Sequence, residues 1–284
     1  MKLAVSNIAW PPQDRDTAYA ILRDHGITGL EIAPGLLFDG ADDAFIPSQA
    51  ELDDAVAAIE RAGLNLVSMQ SLLFGVEGAG LFGDEDEQRR LLQGLVRAID
   101  LAGRLRIPNL VFGSPKQRVI PPGMPYEQAE RIAIDLFRRV GDIAIGAGTR
   151  LAVEPNPAAY GTNFLTRMAD VVAFVGKVDH PGISMVFDLG ALWMNGDYDD
   201  IERLAEAALP FISHVHFSEA HLAPAPATER DAARAFAALA RAGYAGWHSI
   251  EMRASDQAPL ATLAGAVGRF TRAARCGASL EQDR

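Results

Sequence analysis

Cysteine is almost missing: the 284 residues hold one, Cys276, close to the C-terminal end. No disulfide can form within the chain, and no metal cluster can be built from its thiolates. Positive charge is also short, with 26 lysines and arginines against 37 acidic residues and a formal net charge of −11. Such a surface repels phosphate backbones, which argues against nucleic acid as the main partner but leaves room for a small anion held by local cations. No apolar run approaches the roughly 18 residues that a membrane span requires. The opening segment MKLAVSNIAW is too short in its apolar part for a signal peptide and runs into PPQDRD, so a cytoplasmic location is expected. A glycine-rich phosphate turn after the first apolar run is missing too, since SNIAWPPQ stands there, which counts against an open, doubly wound sheet. Histidine is scarce, six in all, yet His214, His216 and His221 share the short stretch HVHFSEAHLAP.

What the chain does have is alternation. Short β-rich runs recur at residues 2–8, 29–34, 64–70, 109–114, 150–155, 183–188, 212–217 and 248–252. Helix-period segments separate them, such as SQAELDDAVAAIERAG, which opens with Ser48 and carries Glu51 three residues on, a capping-box pattern. Several of these segments end in glycine (Gly26, Gly63, Gly148, Gly243) just before the next strand, as helix C-caps do. Eight strand–helix units without a composition break predict a parallel sheet closed into a single (β/α)8 TIM barrel over residues 1–276. A polar tail is expected at 277–284.

In such a barrel the C-terminal strand ends carry the chemistry. Period-two alternation gives the last inward pairs of strands five to eight: Ala152 and Glu154, Val186 and Asp188, His214 and His216, Ser249 and Glu251. The outer member of each pair is ionisable. Three carboxylates crowded on one rim repel one another unless a cation neutralises them. Oxygen donors with one imidazole suit a divalent ion, Mn²⁺ first, with Mg²⁺, Co²⁺ or Zn²⁺ as alternatives. His216 is thus the expected ligand, and His214, lower on the same face, a buried hydrogen-bonding histidine. His25, His180 and His248 receive no role.

Further polar residues fall at strand ends or in loops: Glu31, Gln70, Ser114, Lys116, Arg118, Asn156 and Asn163. Lys116 and Arg118 are the expected anchors for a phosphate or carboxylate. Gln70, Asn156, Asn163 and the loop residue His221 are expected to touch substrate. Trp10, Phe74 and Trp193 could wall a sugar face, and GLLFDGADDAFIP and GVEGAGLFGDEDEQ are expected to be mobile lids.

The motifs AVEPNP, VFDLGAL, HVHFSE and GWHSIEM, with LVFGSPKQR and YGTNFLT, resemble the xylose-isomerase-like TIM barrels, the sugar isomerase and epimerase family that also includes endonuclease IV. The resemblance spans nearly the whole chain. It implies metal ligation by Glu154, Asp188, His216 and Glu251, and proton exchange with substrate by the two glutamates. Two departures stand out. Related ketose 3-epimerases carry a substrate-binding histidine three residues after the aspartate and an arginine six after the metal histidine; Ala191 and Leu222 stand here. Specificity for free ketoses is therefore not carried over.

Proton transfer next to a carbonyl needs a base, an acid and a means of holding an enediolate, and two carboxylates around a metal supply all three. The expected function is thus a metal-dependent isomerase or epimerase of a sugar or sugar-like polyol. A lyase or dehydratase on a keto-sugar or inosose shares the first step, and a non-catalytic sugar-binding barrel is the non-enzyme alternative. An endonuclease-IV-like activity would need several more histidines and a basic face. A small carbohydrate is the expected partner, with no nucleic acid and no membrane; homo-oligomerisation stays open.

Overall fold

A computed structural model describes the backbone through Gln282 and the side chains through Gly277. Eight parallel strands run in sequence order around a closed ring: β1 (Lys2–Ser6), β2 (Gly29–Ile32), β3 (Asn65–Met69), β4 (Leu110–Phe112), β5 (Leu151–Val153), β6 (Ile183–Asp188), β7 (Ile212–Ser218) and β8 (Trp247–Glu251). β8 pairs with β1, with Ala4 beside Ser249, which closes the barrel. The helices are α1 (Arg15–Asp24), α2 (Pro34–Leu37), α3 (Gln49–Arg61), α4 (Glu85–Leu105), α5 (Tyr126–Gly146), α6 (Met168–Val178), α7 (Leu189–Asn195), α8 (Ile201–Ala208), α9 (Glu229–Ala242) and α10 (Pro259–Gln282). Each expected strand run is a strand, and helices separate all of them.

Local chemistry explains the boundaries. The capping box at the start of α3 is formed: the Glu51 N–H donates to Ser48 Oγ at 3.3 Å and the Ser48 N–H to Glu51 Oε2 at 2.7 Å. A second box starts α4, where Asp84 and Glu87 exchange the same pair of bonds at 2.9 Å. It lies inside a stretch read as a mobile lid. That loop is tied down further by Arg90, which donates to the Gly78 carbonyl at 2.8 Å, while Leu81 and Phe82 are buried. The other lid stretch is held by Arg97, which donates to Asp43 at 2.9 Å and to the Phe74 carbonyl at 2.9 Å. The final helix α10 runs past residue 276, so the expected tail begins inside a helix, and residues 283 and 284 lie outside the described residues.

The main apolar core fills the shell between sheet and helices, and Val111, Ala152 and Val186 make a separate apolar layer inside the barrel. A hydrogen-bonded chain, Ser184–Ser213–Asn109–Ser68, links β6, β7, the residue before β4 and β3 at 2.7–3.0 Å. Among the described residues no helix is long and apolar enough to cross a membrane. A cavity opens at the C-terminal strand ends.

Candidate metal centre and active site

The four expected ligands meet at one point. From Nδ1 of His216 the carboxylate oxygens lie at 2.8 Å (Glu154 Oε1), 3.3 Å (Glu251 Oε2) and 3.8 Å (Asp188 Oδ2). One donor atom from each of the four falls within 4.8 Å of all the others. Donors about 2.0–2.2 Å from a common ion would be about 3 Å apart when adjacent and a little over 4 Å when opposite, so the spacing matches a divalent coordination shell. Strand register produces the convergence: Asp188 pairs with His216, while Glu251 pairs with Ser218, one inward step higher, as tilted barrel strands require. Gly113 makes room for Glu154, since a Cβ there would stand 2.6 Å from Glu154 Oε2.

The electrostatics of the cluster suit a bound cation. The Asp188 carboxyl is pushed up to about 8 by burial and by the charges of Glu154 and Glu251. Burial also raises Glu251, with His216 opposing and Glu154 adding to the shift. His216 is held well above the ordinary imidazole range: burial opposes its charge, but Glu31 and Glu251 outweigh that, helped by hydrogen bonds to Glu154 and Glu251. Protons thus perform the neutralisation that a divalent ion would take over on binding. The donor set fits such an ion.

A layer of supporting groups fixes these side chains. Asp188 is the N-cap of α7: its Oδ1 accepts from the Ala191 N–H at 2.5 Å and its Oδ2 from the Ser218 hydroxyl at 2.6 Å. Asn156 donates to Glu154 Oε2 at 3.0 Å. With its amide nitrogen turned to the carboxylates, Gln70 donates to Glu251 Oε1 at 2.8 Å and Glu31 Oε1 at 3.0 Å and accepts from Ser6 Oγ at 3.1 Å. Glu31, fully buried, takes the other ring nitrogen of His216: both its oxygens lie 3.2 Å from Nε2. Burial works to raise Glu31, yet the adjacent His216 and His214 rings hold it far below the usual carboxylate range. Glu31 Oε2 also lies 2.7 Å from His214 Nε2. His214 is buried as expected, and Glu31 is its polar partner.

Above the cluster opens a cavity of about 870 Å³. Gln70, Asn156, His221 and Trp10 line it, as their expected roles require. His221 is placed by its backbone, whose N–H donates to the Tyr160 hydroxyl at 3.0 Å, with the two rings edge to face. Three other expected contacts are not brought to the cavity. Arg118 is fully buried and donates to the Glu154 carbonyl at 2.7 Å, so it supports the backbone of a candidate ligand and does not reach the cavity. Lys116 is exposed outside the cavity wall. Asn163 is occupied in clamping the backbone of Ile120, through bonds of 2.7 and 3.0 Å. Nor do Phe74 and Trp193 wall the cavity: Phe74 packs over Gly35, and Trp193 stacks on Tyr198 outside it.

Sequence reasoning missed Ser218 and Arg253, and it named Glu31 only as a polar strand-end residue. Ser218 and Arg253 continue the inward series 214, 216, 218 and 249, 251, 253, so the same period-two rule carried one step further finds both. Backbone strain gathers here as well. Among the described residues, four of the seven non-glycine residues with positive φ, namely Ser71, Ser114, His221 and Leu222, line the cavity. Such outliers persist where surrounding structure holds them, commonly at functional sites.

Known proteins resemble the chain over most of its length. A Streptomyces coelicolor protein provisionally named hydroxypyruvate isomerase is 27% identical over 228 residues, 75% of this chain and 78% of that one. Among solved structures, an L-ribulose 3-epimerase superposes with a TM-score of 0.78 at 19% identity, covering 99% of this chain and 98% of its own. The 3-keto-D-glucoside 4-epimerase of E. coli gives 0.73 at 19% identity, covering 96% and 99%. D-psicose 3-epimerase from Clostridium cellulolyticum H10 gives 0.72 at 17%, covering 99% and 98%. Residues 19–273 match the family model of xylose isomerase-like TIM barrels. The chain belongs to that family.

Proposed function

We propose that this protein is a divalent-metal-dependent isomerase or epimerase of a sugar or sugar-like hydroxycarbonyl compound. The observation that carries the reading is the convergence of Glu154, Asp188, His216 and Glu251, three of which line the cavity at the C-terminal strand ends. Those four residues would hold the ion, with Mn²⁺ favoured by the oxygen-rich set. When bound, the ion supplies Lewis-acid polarisation of a substrate carbonyl and neutralises charge developing on its oxygen.

The chain's own groups do the rest. Glu154, at the end of β5, and Glu251, at the end of β8, each bring one oxygen close to His216 Nδ1. The second oxygen of each accepts from a neutral amide, Asn156 for Glu154 and Gln70 for Glu251. Two oriented carboxylates on either side of a bound substrate can take a proton from the carbon beside the carbonyl and return one to the product. Ile8, Trp10 and Leu36 add apolar surface that limits water at the reacting carbon. The names of the relatives support the same reading, since each denotes isomerisation or inversion of a hydroxycarbonyl compound.

Deuterium exchange tests the assignment. In D₂O the wild-type protein with metal and a processed substrate washes deuterium into the carbon next to the carbonyl. Glu154→Gln and Glu251→Gln each keep an oxygen donor but lose the base, so turnover should fall about 10²–10⁴-fold with metal retained. Exchange at the wild-type rate in both variants, with metal still bound, would remove the acid–base roles.

A further inference from the structure

Among the described residues Arg253 is the only lysine or arginine on the wall of the large cavity. Ser249 and Glu251 face the barrel interior, and two more residues of extended chain bring Arg253 to the same face, about 6–7 Å further towards the mouth. Backbone bonds hold it there: the Arg253 N–H donates to the Leu222 carbonyl at 2.9 Å, and the next N–H, of Ala254, to the Ile8 carbonyl at 2.8 Å. These bonds tie the backbone just beyond β8 to the turns that follow β7 and β1, which fixes the position of residue 253. Its guanidinium makes no hydrogen bond or ion pair with any described residue. Arg97, which pairs with Asp43, and Arg118, which donates to the Glu154 carbonyl, do not line the cavity.

We infer that Arg253 is the specificity-determining residue of this site and that the substrate carries a carboxylate: a hydroxy-keto acid, not a neutral or a phosphorylated sugar. A guanidinium with both prongs free matches a carboxylate in bidentate fashion. One cation balances one such charge. A phosphate dianion in the same place would share the cavity with Glu219 and Glu251 and have a single counter-charge to hold it. A substrate anchored this way spans from the ligand cluster to the mouth, with its carbonyl end deep and its acid end outward. The inference rests on the isomerase reading above.

The test uses the full chain loaded with Mn²⁺ and matched substrates that differ at one end only: D-fructuronate, D-fructose and D-fructose 6-phosphate, with hydroxypyruvate against dihydroxyacetone for a shorter chain. The acid of a processed pair should show the higher kcat/KM. In Arg253→Met the acid-to-neutral ratio should fall about 10–100-fold, the size of a lost charge-assisted hydrogen bond, and mainly through KM. Arg253→Lys should recover part of it, because the charge returns without the planar fork. A wild-type preference for the neutral or phosphorylated compound, or an unchanged ratio in Arg253→Met, overturns the inference while leaving the isomerase reading intact. If no compound turns over, calorimetry with D-gluconate decides: weaker binding to Arg253→Met upholds the anion anchor although isomerisation has failed, and equal binding overturns the anchor.

Discussion

Glu31 sits against Nε2 of His216 while the three ligand carboxylates sit against Nδ1, and this division fixes what the imidazole can do. A carboxylate accepting from Nε2–H holds the tautomer in which the Nδ1 lone pair faces the ligand cluster. Glu31→Gln keeps the size and an accepting oxygen but loses the charge that secures the bond. Divalent-ion binding measured by calorimetry should weaken about 10–100-fold, the usual effect of losing an outer-shell partner. Unchanged affinity would mean that Glu31 serves only to neutralise the buried rings. The far-ultraviolet circular dichroism spectrum should match the wild type, which separates the loss from unfolding.

At the level of elements, α5 and the strand that follows α6 meet through two glycines. A Cβ on Gly182, at the head of β6, would stand 2.4 Å from the Gly141 carbonyl oxygen in α5, and a backbone atom cannot swing aside. Gly182→Ala must therefore push helix from sheet, at an expected cost of roughly 1–3 kcal/mol as overpacking generally has. Gly146 lies at the end of the same helix with nothing within 4 Å of its would-be Cβ. Gly146→Ala should instead stabilise by about 0.5–1 kcal/mol, since alanine loses less backbone entropy in a helix. Urea midpoints of the two variants should move in opposite directions. A Gly182→Ala midpoint at or above wild type would show that the contact is slack. The same close approach sets the height of β6, and with it the height of Asp188 at the rim.

For the whole molecule, His248 links stability to pH. Its ring is packed between the sheet and the outer helices among Phe217, Phe236 and Tyr244, with Nδ1 3.3 Å from the Lys2 carbonyl. Burial pushes the imidazole down to about 3, despite the hydrogen bond to that carbonyl. An unfolded chain takes up a proton there as pH falls through about 6.5, whereas the folded chain does not until about 3. Protons are then bound preferentially by the unfolded state, so stability falls with pH across that window. At full expression a displacement of this size corresponds to on the order of 5 kcal/mol. His248→Phe should flatten the decline of the melting temperature between pH 6.5 and 4 relative to wild type. Parallel melting curves for the two proteins would assign acid sensitivity to the carboxylates instead.

The alternation of strands and helices, and the four residues that meet at Nδ1 of His216, were legible in the sequence because both follow from local periodicity. A strand presents every second side chain to the barrel interior, so ionisable residues at matching ends of β5 to β8 have only one place to go. Loop side chains obey no such rule. Arg118 is buried and Asn163 clamps Ile120 because the turns after β4 and β5 lean on each other, and that path depends on contacts about 40 residues apart in the chain. Glu31 escaped for a related reason: it reaches His216 across the barrel interior, 185 residues away in sequence, and only ring closure brings β2 and β7 within reach. The sequence by itself determined which donors the rim would carry. Closure of the barrel decided which of the remaining charges would support those donors from behind and which would be left free to meet a substrate.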